Sequence, residues 1–164
     1  MTVGKKIAFA VGGAIVAAGI FFAVQYKRLM NYEIKVKGGK IKKISIDRMV
    51  LDIFLDFNNR SSLKIVIKSQ EYNVFINNSF VANLKSKTET TILPKSSSVI
   101  PLIVDFSPKK AANVLGKNLS DIALSPESVM LKIEIRLMVS FYGMSLAIPY
   151  TFESSLKNLK KGNG

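Results

Sequence analysis

Side chains suited to bond-making chemistry are scarce in this chain, and those present are poorly spaced for it. None of the 164 residues is Cys or His. A thiolate nucleophile, a thiolate or imidazole metal centre and the commonest general base are therefore excluded. What remains for acid–base or metal work is 11 carboxylates, scattered from Glu33 to Glu153. Asp52 and Asp56 are the best-placed pair. On an alternating segment they share one face at about 13 Å, too far for a shared metal or a retaining carboxylate pair. They read as solvated charges on an outer face. No phosphate loop, nucleophile elbow or dinucleotide fingerprint occurs. The expectation is a non-enzyme with no cofactor, no metal and no small-molecule substrate. Three Asn-x-Ser sequons, at Asn59, Asn77 and Asn118, against about 1.5 expected by chance, carry no meaning unless the protein is exported in a glycosylating cell.

Cations are the one abundant functional group. Lys and Arg number 24 against 11 acids, a net charge of +13. Seven fall close together: Lys27, Arg28, Lys35, Lys37, Lys40, Lys42 and Lys43. Such a cluster would attract an anionic lipid surface at about 1 kcal/mol per cation near the headgroups. Nucleic acid would be attracted by the same charges, but only Tyr26 and Tyr32 are near enough to stack bases. Lipid headgroups therefore rank first as partner, general solvation second and nucleic acid third.

The element that would position this cluster precedes it. Ile7 to Val24 reads IAFAVGGAIVAAGIFFAV, without a charge. As a helix it spans roughly 27 Å, near the hydrocarbon thickness of a bilayer. Ile7, Phe9, Val11, Ile15, Ile20, Phe21, Phe22 and Val24 supply its bulk. Lys5-Lys6 and Lys27-Arg28 flank it, and Tyr26 sits where an interfacial aromatic belongs. The run exceeds the apolar core of a cleaved signal peptide, and no clean small-x-small site follows it. Ala10, Gly13, Ala14, Ala17 and Ala18 recur at spacings that let two helices approach closely. Two cations before the run against seven after it favour a cytoplasmic body on a single-pass anchor.

Beyond residue 32 the hydrophobic period is two. Met49, Leu51, Ile53, Leu55 and Phe57 alternate with polar residues, as do Leu63, Ile65 and Ile67, then Tyr72, Val74 and Ile76. Phe80, Ala82 and Leu84 follow, then Leu102, Val104 and Phe106. Val129 through Phe141 make the longest run, and Leu146, Ile148, Tyr150 and Phe152 close the set. Each such run is a strand with one buried face. Gly38-Gly39, Asn58 to Ser62, Asn77-Asn78, Pro94 to Ser98 and Tyr142-Gly143 read as interruptions or turns. One short helix is expected after Ser107-Pro108, burying Ala111, Val114 and Leu115 and stopping at Gly116. The pattern predicts an all-β, immunoglobulin- or fibronectin-like sandwich with one short helix, preceded by a single N-terminal transmembrane helix. Its parts are an anchor and basic flank over 1–31, a sandwich over 32–156 and a basic flexible tail over 157–164.

The order of these segments resembles the late embryogenesis abundant type 2 domain, also called the water-stress and hypersensitive-response domain. The matching segments are Leu51 to Asn59, the Tyr72 to Asn78 strand and turn, Ile92-Leu93-Pro94-Lys95-Ser96, and Ile100 to Phe106 running into the small helix. The family usually has Asn-Pro where this chain has Asn58-Asn59, and Asn-Gly where it has Asn77-Asn78. The resemblance implies a sandwich, a non-enzymatic role and tethering by one N-terminal helix.

The leading expectation is thus a membrane-anchored structural or binding module whose partners are lipid and a protein or second copy. A second reading is a structural subunit of a larger assembly such as a phage virion, using the helix as anchor. An apolar-ligand carrier ranks third.

Overall fold

The structure, a computed structural model, describes residues 19–116 and 118–160. Residues 19–29 form helix α1. The alternating segments become eight strands: β1 Tyr32–Ile44, β2 Met49–Asn59, β3 Ile65–Ile76, β4 Ser79–Ser86, β5 Thr90–Ile92, β6 Ser96–Phe106, β7 Met130–Phe141 and β8 Met144–Ser155. They build two antiparallel sheets, one ordered β1-β2-β6 and the other β4-β3-β7-β8, with β5 continuing the β4 edge of β3. This is the sandwich-like, all-β architecture expected. Between β6 and β7 lie a 3-10 turn (Pro108–Ala111), α2 (Ala112–Leu115), α3 (Asn118–Leu124) and a second 3-10 turn (Pro126–Ser128). Helix α4 (Leu156–Lys160) follows β8.

The core is the dry layer between the sheets. Met49, Leu51, Ile53, Leu55 and Phe57 of β2 are buried, as are Leu131, Ile133, Ile135, Leu137, Val139 and Phe141 of β7. Each fully buried side chain of this kind contributes about 1.5–3 kcal/mol of transfer free energy. The Tyr72 hydroxyl, on β3, donates to the Ile103 carbonyl of β6 at 2.9 Å and so ties one sheet to the other. Burial raises its pKa.

Several local expectations are corrected. The runs Leu63 to Ile67 and Tyr72 to Ile76 have opposite parity, yet Ile65–Ile76 is one strand. A bulge between Ile67 and Ser69 reverses which face points inward. Its consequence is Gln70, buried among apolar neighbours with an Oε1 that has no partner among the described residues. A second bulge leaves Val81 unpaired and turns Phe80 outward, where it meets Phe75 edge-on at 5.7 Å. Gly38-Gly39 is no turn, because β1 runs through it with a bulge. Val114 is exposed, and the buried residues of these segments include Pro108, Ala111, Leu115 and, from the unforeseen α3, Ile122. The single short helix expected is therefore several helical segments.

Both limits of the body also move. Leu29, assigned to the anchor segment, is fully buried in the core. Residues 157–160, assigned to a flexible tail, are helical, with Leu156 and Leu159 buried. Gly39 makes room for them: a Cβ there would lie 2.7 Å from Leu159 Cδ2. The remaining tail residues, 161–164, lie outside the described ones.

The loop after β2 is held by a buried amide. Asn59 is fully buried. Its Nδ2 donates to the carbonyls of Leu63 (2.7 Å) and Leu93 (3.0 Å), and its Oδ1 accepts from the Ser61 N–H (3.1 Å) and hydroxyl (2.6 Å). Every hydrogen-bonding position of the amide is used. The second Asn of the Asn58-Asn59 pair thus has a structural job. Both two-residue hairpins form as expected, with positive φ at Asn77 and Asn78 and at Tyr142 and Gly143.

Two stability outcomes follow. Asn59→Leu keeps the volume but strands the partners of the amide, so equilibrium urea unfolding is expected to show a loss of about 2–4 kcal/mol. Gly39→Ala is expected to cost about 1–2 kcal/mol alone and distinctly less in a Leu159→Ala background; equal losses in both backgrounds would show that the two positions do not share space.

Candidate functional site

Helix α1 meets the body at its last turns. Leu29 is fully buried and Gln25 nearly so, while residues 19–24 are exposed on every side of the helix. Those residues are Gly19, Ile20, Phe21, Phe22, Ala23 and Val24, apolar all round. Ile20 is 61% exposed and Phe21 50%, and the two phenyl rings meet edge-on at 5.8 Å. A helix stripped of polar residues on all faces is stable in an apolar surrounding, not in water. Beyond the helix, Tyr32 stacks on Phe57 at 5.4 Å, fixing the start of β1 to the core.

Of the anchor residues proposed from the sequence, Ile20, Phe21, Phe22 and Val24 are thus the described, exposed ones. Ile7, Phe9, Val11 and Ile15, and the small residues Ala10, Gly13, Ala14, Ala17 and Ala18, lie outside the described residues. No helix among the described residues is long and apolar enough to cross a membrane.

The seven clustered cations do not form a collar. Lys27 and Arg28 are exposed on α1, but the other five ride along β1. From Tyr32 to Lys43 that strand covers about 36 Å at ~3.3 Å per residue. Lys35 pairs with Glu33 at 2.6 Å, and Arg60 pairs with the same carboxylate. The Lys35 hydrogen bond, helped by the Arg60 charge, holds the Glu33 carboxyl below its ordinary pKa. Lys42 pairs with Asp52 at 2.7 Å. Lys37, Lys40 and Lys43 are exposed along the same rail.

Asp52 is correspondingly not a free surface charge. Its side chain is only 13% exposed, sealed by Lys42, and its Oδ1 has no partner among the described residues. Asp105 is held in a two-pronged bond by Arg48, Nε to Oδ1 at 3.0 Å and Nη2 to Oδ2 at 2.6 Å. That pairing lowers the Asp105 pKa and raises that of Arg48. Among the described residues no group of three carboxylates converges as a metal site would require.

A cleft of about 520 Å³ opens at the end of the sandwich remote from α1. Ile41, Ile44, Ile122 and Leu156 give it an apolar floor, and Lys43, Glu127 and Lys157 stand at its rim. Its wall comes from β1, the α3 region and α4, three segments far apart in the chain. Periodicity in any one of them carries no sign of it.

No family model and no curated protein matches this chain. Solved structures do. A crystal structure of a protein from Archaeoglobus fulgidus aligns with TM-score 0.54 at 14% identity, covering 74% of this chain and 92% of that one. A solution structure of a protein from Arabidopsis thaliana aligns with TM-score 0.52 at 12% identity, covering 75% and 80%. A solution structure described as that of a late embryogenesis abundant protein aligns at 15% identity with TM-score 0.49, covering 94% and 90%. For the first two, at such identities, the likeness is one of fold alone.

Proposed function

We propose that this chain is a non-enzymatic, membrane-anchored module of the late embryogenesis abundant type 2 kind, holding its sandwich beside a bilayer. The observation that carries this reading is α1. Its last turns are locked to the body through Leu29 and Gln25, while residues 19–24 present apolar surface in every direction. Those residues continue the uncharged run that begins at Ile7. A rigid joint between the body and an apolar rod suits a tether and does not suit a free-swinging linker.

The cation count on the two flanks favours a cytoplasmic body. The work of the body in this reading is recognition: it offers surfaces to lipid and to a protein partner. Its sheet edges are ill suited to pairing with a foreign strand. Pro101 lies in edge strand β6 and Pro149 in edge strand β8, each removing a donor, and edge strands β1 and β4 are bulged. Partners are therefore engaged through side chains and loops.

Expression of the full chain followed by alkaline carbonate extraction tests the anchor. The protein is expected in the membrane pellet. Ile15→Asp with Ala18→Asp is expected to release it, since two acidic residues near the middle of a spanning helix cost about 5–7 kcal/mol. Wild-type protein that carbonate extracts would refute the anchor. Recovery as a ring or shell of fixed stoichiometry would select the virion-type assembly instead.

A further inference from the structure

The end of the sandwich from which α1 departs bears residues that neither core packing nor turn chemistry explains. Strand register brings three loops there. Tyr32 pairs with Asn59, Asn59 with Ser96, Ile65 with Ile92, Val66 with Ser140, and Phe141 with Met144. The loops over 60–64, 93–95 and 142–143 therefore share one end with the last turn of α1. Hydrogen bonds tie the first two loops to each other and to the chain just after α1: Asn31 Nδ2 to the Arg60 carbonyl at 3.5 Å, Asn59 Nδ2 to the Leu93 carbonyl at 3.0 Å, and the Lys95 N–H to the Ser61 carbonyl at 3.1 Å.

Three apolar side chains stand out from this end. Tyr142 is 71% exposed, Leu93 60% and Met30 45%. Tyr142 also occupies a left-handed backbone position, with φ +46°, and Lys95 another, with φ +56°. Such positions favour Gly, Asn or Asp, and a bulky side chain there costs on the order of 1 kcal/mol. The hairpin at the opposite end uses Asn77-Asn78, the residue type such a turn prefers. An aromatic ring placed against both backbone preference and burial is placed for something outside the chain. At the same end of the body Lys27, Arg28, Lys64 and Lys95 are exposed. None of the four has an ion-pair partner among the described residues; the Lys95 ammonium donates to the Arg60 carbonyl, and Glu33 is already held by Lys35 and Arg60.

We propose that this end is a docking face for an anionic lipid surface. Tyr142 and Leu93 enter the headgroup layer, and Lys64 and Lys95, with Lys27 and Arg28, meet the lipid phosphates. The ring of a Tyr suits that depth, with an apolar body and a polar tip. The inference rests on the membrane-anchored reading and adds to it the side of the body that faces the lipid. By the strand rise of ~3.3 Å, Lys40, Lys42 and Lys43 lie about 26, 33 and 36 Å along β1 from its start at this face. That is several screening lengths at physiological salt, so they take no part.

The chain contains no Trp, so single Trp reporters are unambiguous. Full-length Phe22→Trp, Tyr142→Trp and Leu124→Trp would be reconstituted into vesicles of phosphatidylcholine, with and without phosphatidylglycerol, carrying brominated acyl chains. Leu124 is 82% exposed on α3, at the far end. Bromine is expected to quench Phe22→Trp in both membranes and Tyr142→Trp chiefly in the anionic one, and to leave Leu124→Trp unquenched. Lys64→Gln and Lys95→Gln should each lower the docked fraction's equilibrium about fivefold, whereas Lys40→Gln, Lys42→Gln and Lys43→Gln together should not change it. Leu93→Trp serves as reporter if Tyr142→Trp folds poorly by circular dichroism. Quenching of Phe22→Trp with Tyr142→Trp and Leu93→Trp as unquenched as Leu124→Trp overturns the docking face and leaves the anchor standing. No quenching of Phe22→Trp overturns the anchor and the face with it. An emission shift of Tyr142→Trp on random-sequence DNA at physiological salt, without one on vesicles, assigns the face to nucleic acid and overturns the lipid proposal.

Discussion

Each sheet of this protein has one aliphatic face, and neither face is tolerable in water by itself. Everything else in the body is arranged so that the rows of β2 and β7 can close against each other. The closure is dry: the inward residues of both strands are almost wholly shielded. It is also demanding, because a strand whose parity is wrong for half its length must be repaired. In β3 the repair is a bulge, which keeps Ile65 and Ile67 inside together with Tyr72, Val74 and Ile76. The cost is Gln70, forced to the inner face with an oxygen that has no partner among the described residues.

Closing the layer creates two unlike ends, and antiparallel register decides what each end contains. At one end the chain arrives through α1, and Asn59 gathers the loops after β2 and β5 into a buried knot. At the other, α3 and α4 cover the sheet openings through Ile122, Leu156 and Leu159 and leave an apolar cleft beneath them. The edges between are closed to added strands by proline and bulges. In the proposed reading such a body would meet partners through its ends and loops, while its sheets pack on each other.

Charge follows the same geometry. The cations crowd together in the sequence between residues 27 and 43, but an extended strand is the least compact way to arrange them. Two of the five on β1 are spent on Glu33 and Asp52. Meanwhile Lys64 and Lys95, remote from that cluster in sequence, come to share one end of the body with Lys27 and Arg28, because the register of β1, β2 and β6 folds their loops there. The density of charge that a surface would feel is a property of topology more than of local sequence.

The residues by themselves determined the strands, through alternation, and the hairpins, through Asn77-Asn78 and Tyr142-Gly143. The uncharged apolar run from Ile7 to Val24 was legible in the same way. These are local consequences of side-chain period and backbone sterics, and a reader needs only neighbours a few positions apart to see them. Contacts between distant residues decided the rest. Gly39 reads as a break in a strand until Leu159, 120 positions later, is seen to occupy the space its missing Cβ leaves. Leu29 reads as part of the anchor until the core is seen to close over it. The parity switch in β3, the outward turn of Phe80 and the three-walled cleft depend on which strand pairs with which, and at what offset. That offset is set by the total burial of the two sheets, a quantity no single segment contains.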